Sequence, residues 1–284
     1  MQISGLLDIL RDSEAYRTLL AALTARAPLA DQGIVRAARP FALAALARDW
    51  DGPVIFLTGR IDRAYNVSEQ LPAWLGDAAS VYRFGEPAPA FYERAPWGES
   101  AIRSRLAALA ALLPPDDFAP AARPVIVTSA RAIMQRTLPP NQFRRATLTL
   151  RPGARHPLEP LIRRWVAAGY EPASIVIEPG TFSRRGGIVD IFPLAADRPI
   201  RIEFFDDEIE SLRAFDPSTQ RSAERLEQVA IPPAREALPE AGPPLAAHLA
   251  GWFAGLPTET ADAASPLADA EPLTNGAAFP YLEH

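Results

Sequence analysis

The stretch EPGTFSRRGGIVDIFPLAADRPIRIEFFDDEIESLRAF, residues 178–215, decides the fold of the second half of the chain. Its clearest segment is IRIEFF, residues 200–205, in which apolar and polar side chains alternate. Because successive side chains of a strand point to opposite faces, this alternation predicts a β-strand with an apolar face in the core. The other face carries a cation, an anion and an aromatic ring, at Arg201, Glu203 and Phe205.

Turn residues on both sides of this strand predict antiparallel neighbours. Asp206-Asp207 suits a two-residue hairpin turn, because Asp tolerates the positive φ that such turns need. Residues 208–215 are the expected return strand. Upstream, Gly186-Gly187 predicts a bulge or tight bend before a strand over residues 188–192. The stretch therefore predicts a small β-rich module.

A helix precedes this module. Apolar side chains recur at the spacing of one helical face between residues 157 and 168, namely Leu158, Leu161, Ile162, Trp165 and Val166. Gly169 follows directly and is expected to end the helix in the left-handed conformation. The second half of the chain is therefore predicted to be of the α+β type.

The first half alternates between apolar runs and helical patterns. Apolar runs at residues 53–57 and 124–127 are typical of buried parallel strands, and shorter strand candidates lie at residues 33–36 and 81–84. Helical patterns lie before and between them, beginning with residues 5–26. Strands that alternate with helices predict an open parallel sheet, so the fold class is α/β, with the β-rich α+β module in the second half of the chain.

Four motifs in order resemble one known family: PGTF at residues 179–182, RGGI at 185–188, DIFP at 190–193 and RIEFFDDEIES at 201–211. Together they look like the inserted domain shared by excinuclease B and the transcription-repair coupling factors of bacteria. Weaker similarity extends from Met1 to about Glu236. The resemblance implies three parts: a degenerate nucleotide-binding-like (P-loop-type) lobe at 1–135, an inserted domain at 136–225, and a return to the first lobe with an Ala/Pro-rich tail at 226–284.

In this family the inserted domain docks onto excinuclease A. The resemblance implies that Arg201, Glu203 and Phe205 contact that partner directly, and Arg185 also matches an Arg of the family's surface. Where excinuclease B has a further Arg, this chain has Ser183 with Arg184 beside it, and we expect Arg184 to be among the partner-binding residues. Another Arg of the family, near Pro172, has no counterpart here.

The turn after the first apolar strand resembles a phosphate-binding loop in which the residues that bind phosphate and magnesium have been replaced. The chain reads TGRIDR at residues 58–63, and on this alignment Asp62 stands at the position of the phosphate-binding Lys. Arg63 stands at the position of the hydroxyl that binds magnesium, and Gly59 alone remains of the loop's glycines. A carboxylate repels a triphosphate, so we expect a retained fold that binds no ATP.

The amino-acid composition excludes several kinds of chemistry. The 284-residue chain has a formal net charge of -5, no Cys and three widely separated His, and its sequence contains no Lys. Thiol chemistry, Schiff-base chemistry and His-based metal motifs are thereby excluded. No apolar run is long enough to span a membrane and the start is not a basic leader, so the sequence predicts a cytoplasmic protein without metal or cofactor.

The preferred interpretation is a non-catalytic adaptor that recruits excinuclease A. The resemblance implies a larger parent protein, an ATP-driven DNA translocase that displaces stalled RNA polymerase. The motor, the polymerase-binding part and a C-terminal domain that masks the adaptor surface all lie outside this chain. Two alternatives are a divergent ATP-dependent enzyme like excinuclease B, and a nucleic-acid-binding module that uses Arg144, Arg145, Arg151 and Arg155.

The end of the chain gives weaker signals. A short helix is expected at residues 245–253 and weak order at 254–276, where Ala and Pro are abundant. The final Leu282-Glu283-His284 is expected to be either a truncation point or the remnant of an affinity tag.

Overall fold

The computed structural model describes residues 4–29, 33–76, 80–86, 97–116, 118, 123–238, 247 and 250. Its contacts divide the chain into two compact units. Unit 1 consists of residues 1–86 and 116–135, and unit 2 consists of residues 87–115 and 136–284.

Unit 1 is a parallel sheet with helices. Its helices are α1 (Asp8–Asp12), α2 (Glu14–Thr24), α3 (Arg39–Asp49), α4 (Ile61–Leu75) and α6 (Ala130–Ile133), with 3₁₀ turns at Ser4–Leu7 and Arg36–Ala38. Its strands are β1 (Val54–Thr58), β2 (Ser80–Phe84) and β3 (Pro124–Ser129). Among the described residues they pair in the order β1-β3-β2, and both pairings are parallel. The predicted α/β arrangement is confirmed here.

The apolar runs behave as expected in the centre of this sheet and differ at its edge. Val125, Ile126 and Val127 of the central strand β3 are buried. On β1, which lies at the edge, Ile55 and Leu57 are about half exposed. The strand predicted at residues 33–36 is wrong: its Val35 is exposed, and the backbone turns into the 3₁₀ segment that leads to α3.

Unit 2 contains the larger sheet. Its helices are α5 (Glu99–Leu112), α7 (Pro140–Ala146) and α8 (Leu158–Ala167). Its strands are β4 (Leu148–Leu150), β5 (Glu171–Pro172), β6 (Thr181–Arg185), β7 (Ile188–Ile191), β8 (Ile200–Phe205), β9 (Glu208–Phe215), β10 (Ser222–Arg225) and β11 (Val229–Ile231). Over the described part, β5 to β10 form one sheet in sequential order, and β4 pairs with β11.

One face of the six-stranded sheet packs against α8. Leu161 and Trp165 of the helix are buried in a cluster with Phe182, Ile202 and further apolar strand residues. The Trp165 and Phe182 rings lie 6.0 Å apart between centroids, in a tilted pair of the kind that aromatic side chains favour. The helix ends as predicted: Gly169 has φ +91°, and the following Tyr170 N–H donates to Trp165 O.

Two tight turns shape the sheet. Asp206, between β8 and β9, has φ +56°, which confirms the predicted hairpin turn. Gly186 and Gly187 join β6 to β7, and only Gly186 has a positive φ, of +62°. A Cβ at position 187 would lie 2.9 Å from the backbone oxygen of Phe204, so the second glycine is required for space.

The predicted domain boundaries, 135/136 and 225/226, remain predictions. The contacts within the structure place α5 in unit 2. There, Arg105 of α5 forms a buried ion pair with Glu236, with Arg105 Nε 2.5 Å from Glu236 Oε1. The segment expected to return to the first lobe supplies β11, which pairs antiparallel with β4 in unit 2.

Several expectations fall outside the described residues. They are the helix at residues 245–253, of which the structure describes only residues 247 and 250, the segment 254–276, and the terminal Leu282-Glu283-His284. No helix in the described ranges combines the length and apolar character needed to cross a bilayer.

Candidate protein-binding face

The face of the six-stranded sheet opposite α8 carries the residues singled out on β8. Strand register places side chains in rows across this face. One row contains Arg185, Ile188, Glu203 and Ser211, and the next contains Ser183, Asp190, Arg201 and Arg213. Phe205 stands at the hairpin end, beyond the first row. We call this surface the open face.

Phe205 is the most exposed large apolar side chain of the open face. It is 77% exposed, and Ile188 beside it is 37% exposed. Ile202 of the same strand points to the other face, toward α8, and is completely buried. The alternation predicted from the sequence is therefore present, and it fixes the aromatic ring on a rigid strand with its surface in solvent.

Asp190 joins two arginines in the middle of the open face. Its carboxylate is 1% exposed and accepts hydrogen bonds from Arg201 Nε at 2.8 Å, from Arg201 Nη2 at 2.9 Å and from Arg185 Nη2 at 2.7 Å. Arg201 also lies over the Phe215 ring, 4.7 Å from its centroid. The hydrogen bond to Asp190 raises the pKa of Arg201, which is a fixed cation.

Arg185 and Arg201 therefore differ in how much of each guanidinium group a partner can reach. The side chain of Arg201 is only 15% exposed and its guanidinium also donates to Gln220 O, so most of its donors are engaged within the domain. The side chain of Arg185 is 54% exposed and gives one bond to Asp190, so it still presents donors to solvent. A partner carboxylate would meet Arg185 first.

Glu203 is held in place by its neighbour. Its Oε2 accepts a hydrogen bond of 2.5 Å from Ser211 Oγ across the β8–β9 pair. A β-bulge between Glu203 and Phe204 shifts the register at this point. The carboxylate thus has a set position between the Arg185–Asp190–Arg201 cluster and the ring of Phe205.

Arg184 does not join the other predicted contact residues. It is paired in register with the core residue Val189, and its Nη1 lies 2.5 Å from Glu159 Oε1 on α8. Neighbouring residues of a strand point to opposite faces, so Arg184 lies on the side of α8 while Arg185 lies on the open face. The structure brings Arg185, Arg201, Glu203 and Phe205 together and leaves Arg184 apart.

A loop segment covers the far end of the open face. Val176 is buried with Phe192 and Phe215, which belong to the open face beyond Arg201. Ser183 Oγ donates to Ser174 O, and Gln220 Nε2 donates to Val176 O. Ile175 and Ile177, on either side of Val176, are 51% and 58% exposed. Sequence reasoning did not single out these two residues, although two isoleucines beside the turn-forming Pro179-Gly180 were a visible signal.

The expected nucleotide loop is short in the structure. Only Gly59 and Arg60 separate the end of β1 from the start of α4. Asp62 lies in the first turn of α4 and accepts two hydrogen bonds of 3.0 Å from Arg60, and these bonds lower the pKa of its carboxyl group. The N-terminus of α4, where a phosphate would bind, therefore carries a carboxylate anion. Arg63 lines a cavity of about 870 Å³ beside this turn, together with Thr58 and Gly59.

The arginines of the nucleic-acid alternative lie on α7 and in the segment between β4 and α8. Arg144 and Arg145 are exposed in the last turn of α7. Arg151 donates to Gln228 Oε1, and Arg155 lies 3.6 Å from Glu208. Within the part of the chain that the structure describes, no group of three metal-ligating side chains could hold an ion.

Comparison with known proteins gives a family match for the domain that carries the open face. Residues 148–236 match the family model described as UvrB interaction domain, a range that runs from β4 past β11 and includes the whole open face. The chain is similar to the transcription-repair-coupling factor of Myxococcus xanthus, with 32% identity over 233 residues, which is 80% of this chain and 19% of the relative. It is also similar to that of Bacillus subtilis, with 33% identity over 208 residues, or 72% of this chain and 17% of the relative.

A shorter segment is more similar still. A transcription-repair-coupling factor of Staphylococcus aureus is 45% identical over 93 residues, which is 33% of this chain and 8% of the relative. The chain spans about a fifth of the length of the first curated relatives it matches. Residues 148–236 thus match the UvrB interaction domain, and most of the chain is similar to bacterial transcription-repair-coupling factors.

Proposed function

We propose that the chain is a non-catalytic adaptor that binds excinuclease A through the open face and so serves nucleotide-excision repair. The observation that carries the proposal is the exposed ring of Phe205 on a rigid strand of a UvrB interaction domain, beside Arg185 and Glu203. Aromatic and Arg side chains dominate protein-binding hot spots. Phe205 is the anchor that loses water on binding, and Arg185 pairs with a carboxylate of the partner.

In this proposal, unit 1 keeps the fold of a nucleotide-binding lobe but binds no nucleotide. The two-residue turn is shorter than a glycine-rich phosphate-binding loop, and Asp62, paired with Arg60, puts a carboxylate at the N-terminus of α4 where phosphate would bind. The larger protein, an ATP-driven DNA translocase that displaces stalled RNA polymerase, supplies motor and polymerase-binding parts from outside this chain. We therefore expect no ATP hydrolysis by the chain itself.

Binding to purified excinuclease A tests the proposal. The wild-type chain is immobilised and the dissociation constant is measured beside Phe205→Ala. Removal of a buried anchor costs about 2 kcal/mol or more, so the variant should bind at least roughly thirty-fold more weakly. The matched control is Val166→Ala on α8, where the side chain is 47% exposed on the opposite side of the sheet and should not affect binding.

Two results would contradict the adaptor proposal. One is a wild-type chain that does not bind excinuclease A at micromolar concentration while circular dichroism shows it folded. The other is equal loss of binding by the Val166 and Phe205 variants. ATP binding by the wild-type chain, measured by calorimetry with magnesium present, would contradict the assignment of unit 1.

A further inference from the structure

We infer that Ile175 and Ile177 form a second, apolar contact for the same partner, at the end of the open face opposite Phe205. This inference rests on the proposed function, because it takes excinuclease A to be the occupant. It assigns binding to a segment that connects two strands and that the motif residues of β8 do not include.

The segment is fixed against the sheet, so its exposed side chains have a set position. Val176 is completely buried against Phe192 and Phe215. Hydrogen bonds hold the backbone on both sides: Ser183 Oγ to Ser174 O at 3.1 Å, and Thr181 Oγ1 to Glu178 O at 2.6 Å. With Val176 as the inward anchor, Ile175 and Ile177 stay more than half exposed. A rigid pair of apolar side chains loses little conformational entropy on binding.

The segment is continuous with the predicted contact residues. The ring of Phe215, which touches Val176, also lies 4.7 Å below the Arg201 guanidinium. Arg201 in turn shares Asp190 with Arg185. An unbroken series of contacts therefore runs from the isoleucine segment through the charged cluster toward Phe205.

The two apolar ends of the open face are close enough together for one partner to cover both. Phe215 N–H donates to Pro199 O at 3.0 Å, which places this end of the face six residues from Phe205 along β8. At a rise of about 3.3 Å per residue, the two apolar ends lie about 20 Å apart. A protein interface of ordinary size buries about 800 Å² on each side, a patch roughly 30 Å across. One partner thus covers both ends, with the charged cluster between them.

The arrangement of apolar and charged residues on the open face also predicts the chemistry of the partner's surface. Two apolar patches flank a centre whose accessible cations are Arg185 and the exposed Arg213, so the complementary surface has an acidic centre between two apolar depressions.

The test measures binding of the full chain to purified excinuclease A with four variants. They are Ile175→Ser, Ile177→Ser, the double variant, and the control Val166→Ser, an apolar residue of similar exposure on the far side of the sheet. Phe205→Ala is measured in parallel. We expect at least ten-fold weaker binding by the double variant and a smaller loss by each single variant, because exposed apolar area is buried in the complex. The control should bind like wild type.

The kinetics separate this contact from the charged one. Apolar contacts form after the encounter, so the double variant should dissociate faster while the salt dependence of its association rate is unchanged. Arg185→Ala should instead slow association at low salt.

The outcomes distinguish the two proposals. If Phe205→Ala weakens binding and the double isoleucine variant binds like wild type, the adaptor function stands and the second contact is wrong. If wild type does not bind at all, both proposals fail together. If wild type forms a dimer that the double variant abolishes in sedimentation, the isoleucines contact a second copy of the chain and the inference is overturned.

Discussion

Asp190 is the residue on which the open face depends most. It is almost fully buried, and three guanidinium nitrogens bond to its two oxygens. The sequence places Asp190 within a predicted strand, but strand register was needed to show that it holds two arginines. Its carboxylate fixes the positions of both arginines before any partner arrives.

Asp190→Ala should destabilise the chain by about 3 kcal/mol, because the mostly buried Arg201 loses its counter-ion. The free energy of unfolding, from urea titration, measures this effect. The control is Glu210→Ala on β9, two strands away in the same sheet, where the side chain is exposed and the change should stay within about 0.5 kcal/mol. If both substitutions lowered the free energy of unfolding equally, the buried Asp190 would contribute no more to stability than the exposed Glu210.

His156 should make stability depend on pH. Burial, with the nearby charge of Arg164, lowers the pKa of His156 below its ordinary value in the folded chain. The unfolded chain then binds more protons as pH falls through about 6.5, so the free energy of unfolding falls with it, while the contribution is fully present above that pH. His156→Gln should reduce the difference in stability between about pH 7.5 and about pH 5.5, on either side of the ordinary His pKa. An unchanged difference would contradict this role.

At the scale of elements, patterns that depend on neighbours in the chain were predictable. The alternation over β8, the helix that buries Leu161 and Trp165, and its Gly169 end all appear in the structure. The strand expected at residues 33–36 failed because a short apolar segment without a pairing partner has no ladder to join. The separate positions of Arg184 and Arg185 followed from alternation along β6, a rule that the sequence interpretation did not apply there.

The β8–β9 turn can be improved by one substitution. Asp206 has φ +56°, a conformation that costs an L-residue energy and glycine almost none. Asp206→Gly should therefore raise the free energy of unfolding by up to about 1 kcal/mol, as measured by thermal or urea unfolding. Asp207→Gly is the matched control: Asp207 has no positive φ to relieve, so glycine should leave stability equal or lower it. A gain at 207 as large as at 206 would refute the explanation.

At the scale of the whole molecule, unit 2 is assembled from two separate stretches of chain. Arg105 of α5 and Glu236, near the end of the family match, form an ion pair with side chains 0% and 2% exposed. The Arg105 guanidinium also lies 5.0 Å from the centroid of the Trp97 ring. A pair of charges so far from water was not predictable from residues that are 131 positions apart.

Arg105→Leu should destabilise the chain by about 3–5 kcal/mol, because Glu236 is left as a buried charge without its partner. The double substitution Arg105→Leu with Glu236→Leu should recover most of that loss. Urea unfolding of the four chains measures the coupling as a double-mutant cycle. A double variant as unstable as Arg105→Leu alone would show that packing, and not the unpaired charge, sets the cost.

The two adjacent glycines of the β6–β7 turn carry a consequence for any saturation mutagenesis of this chain. At position 186 the restriction is one of backbone angle, with open space around the missing side chain, so Asn and Asp should survive selection beside glycine. At position 187 the restriction is volume against the Phe204 carbonyl, so even alanine should be eliminated. Two identical letters in the sequence would then yield two different profiles of permitted residues, and a substitution matrix that scores them alike would misjudge one of them.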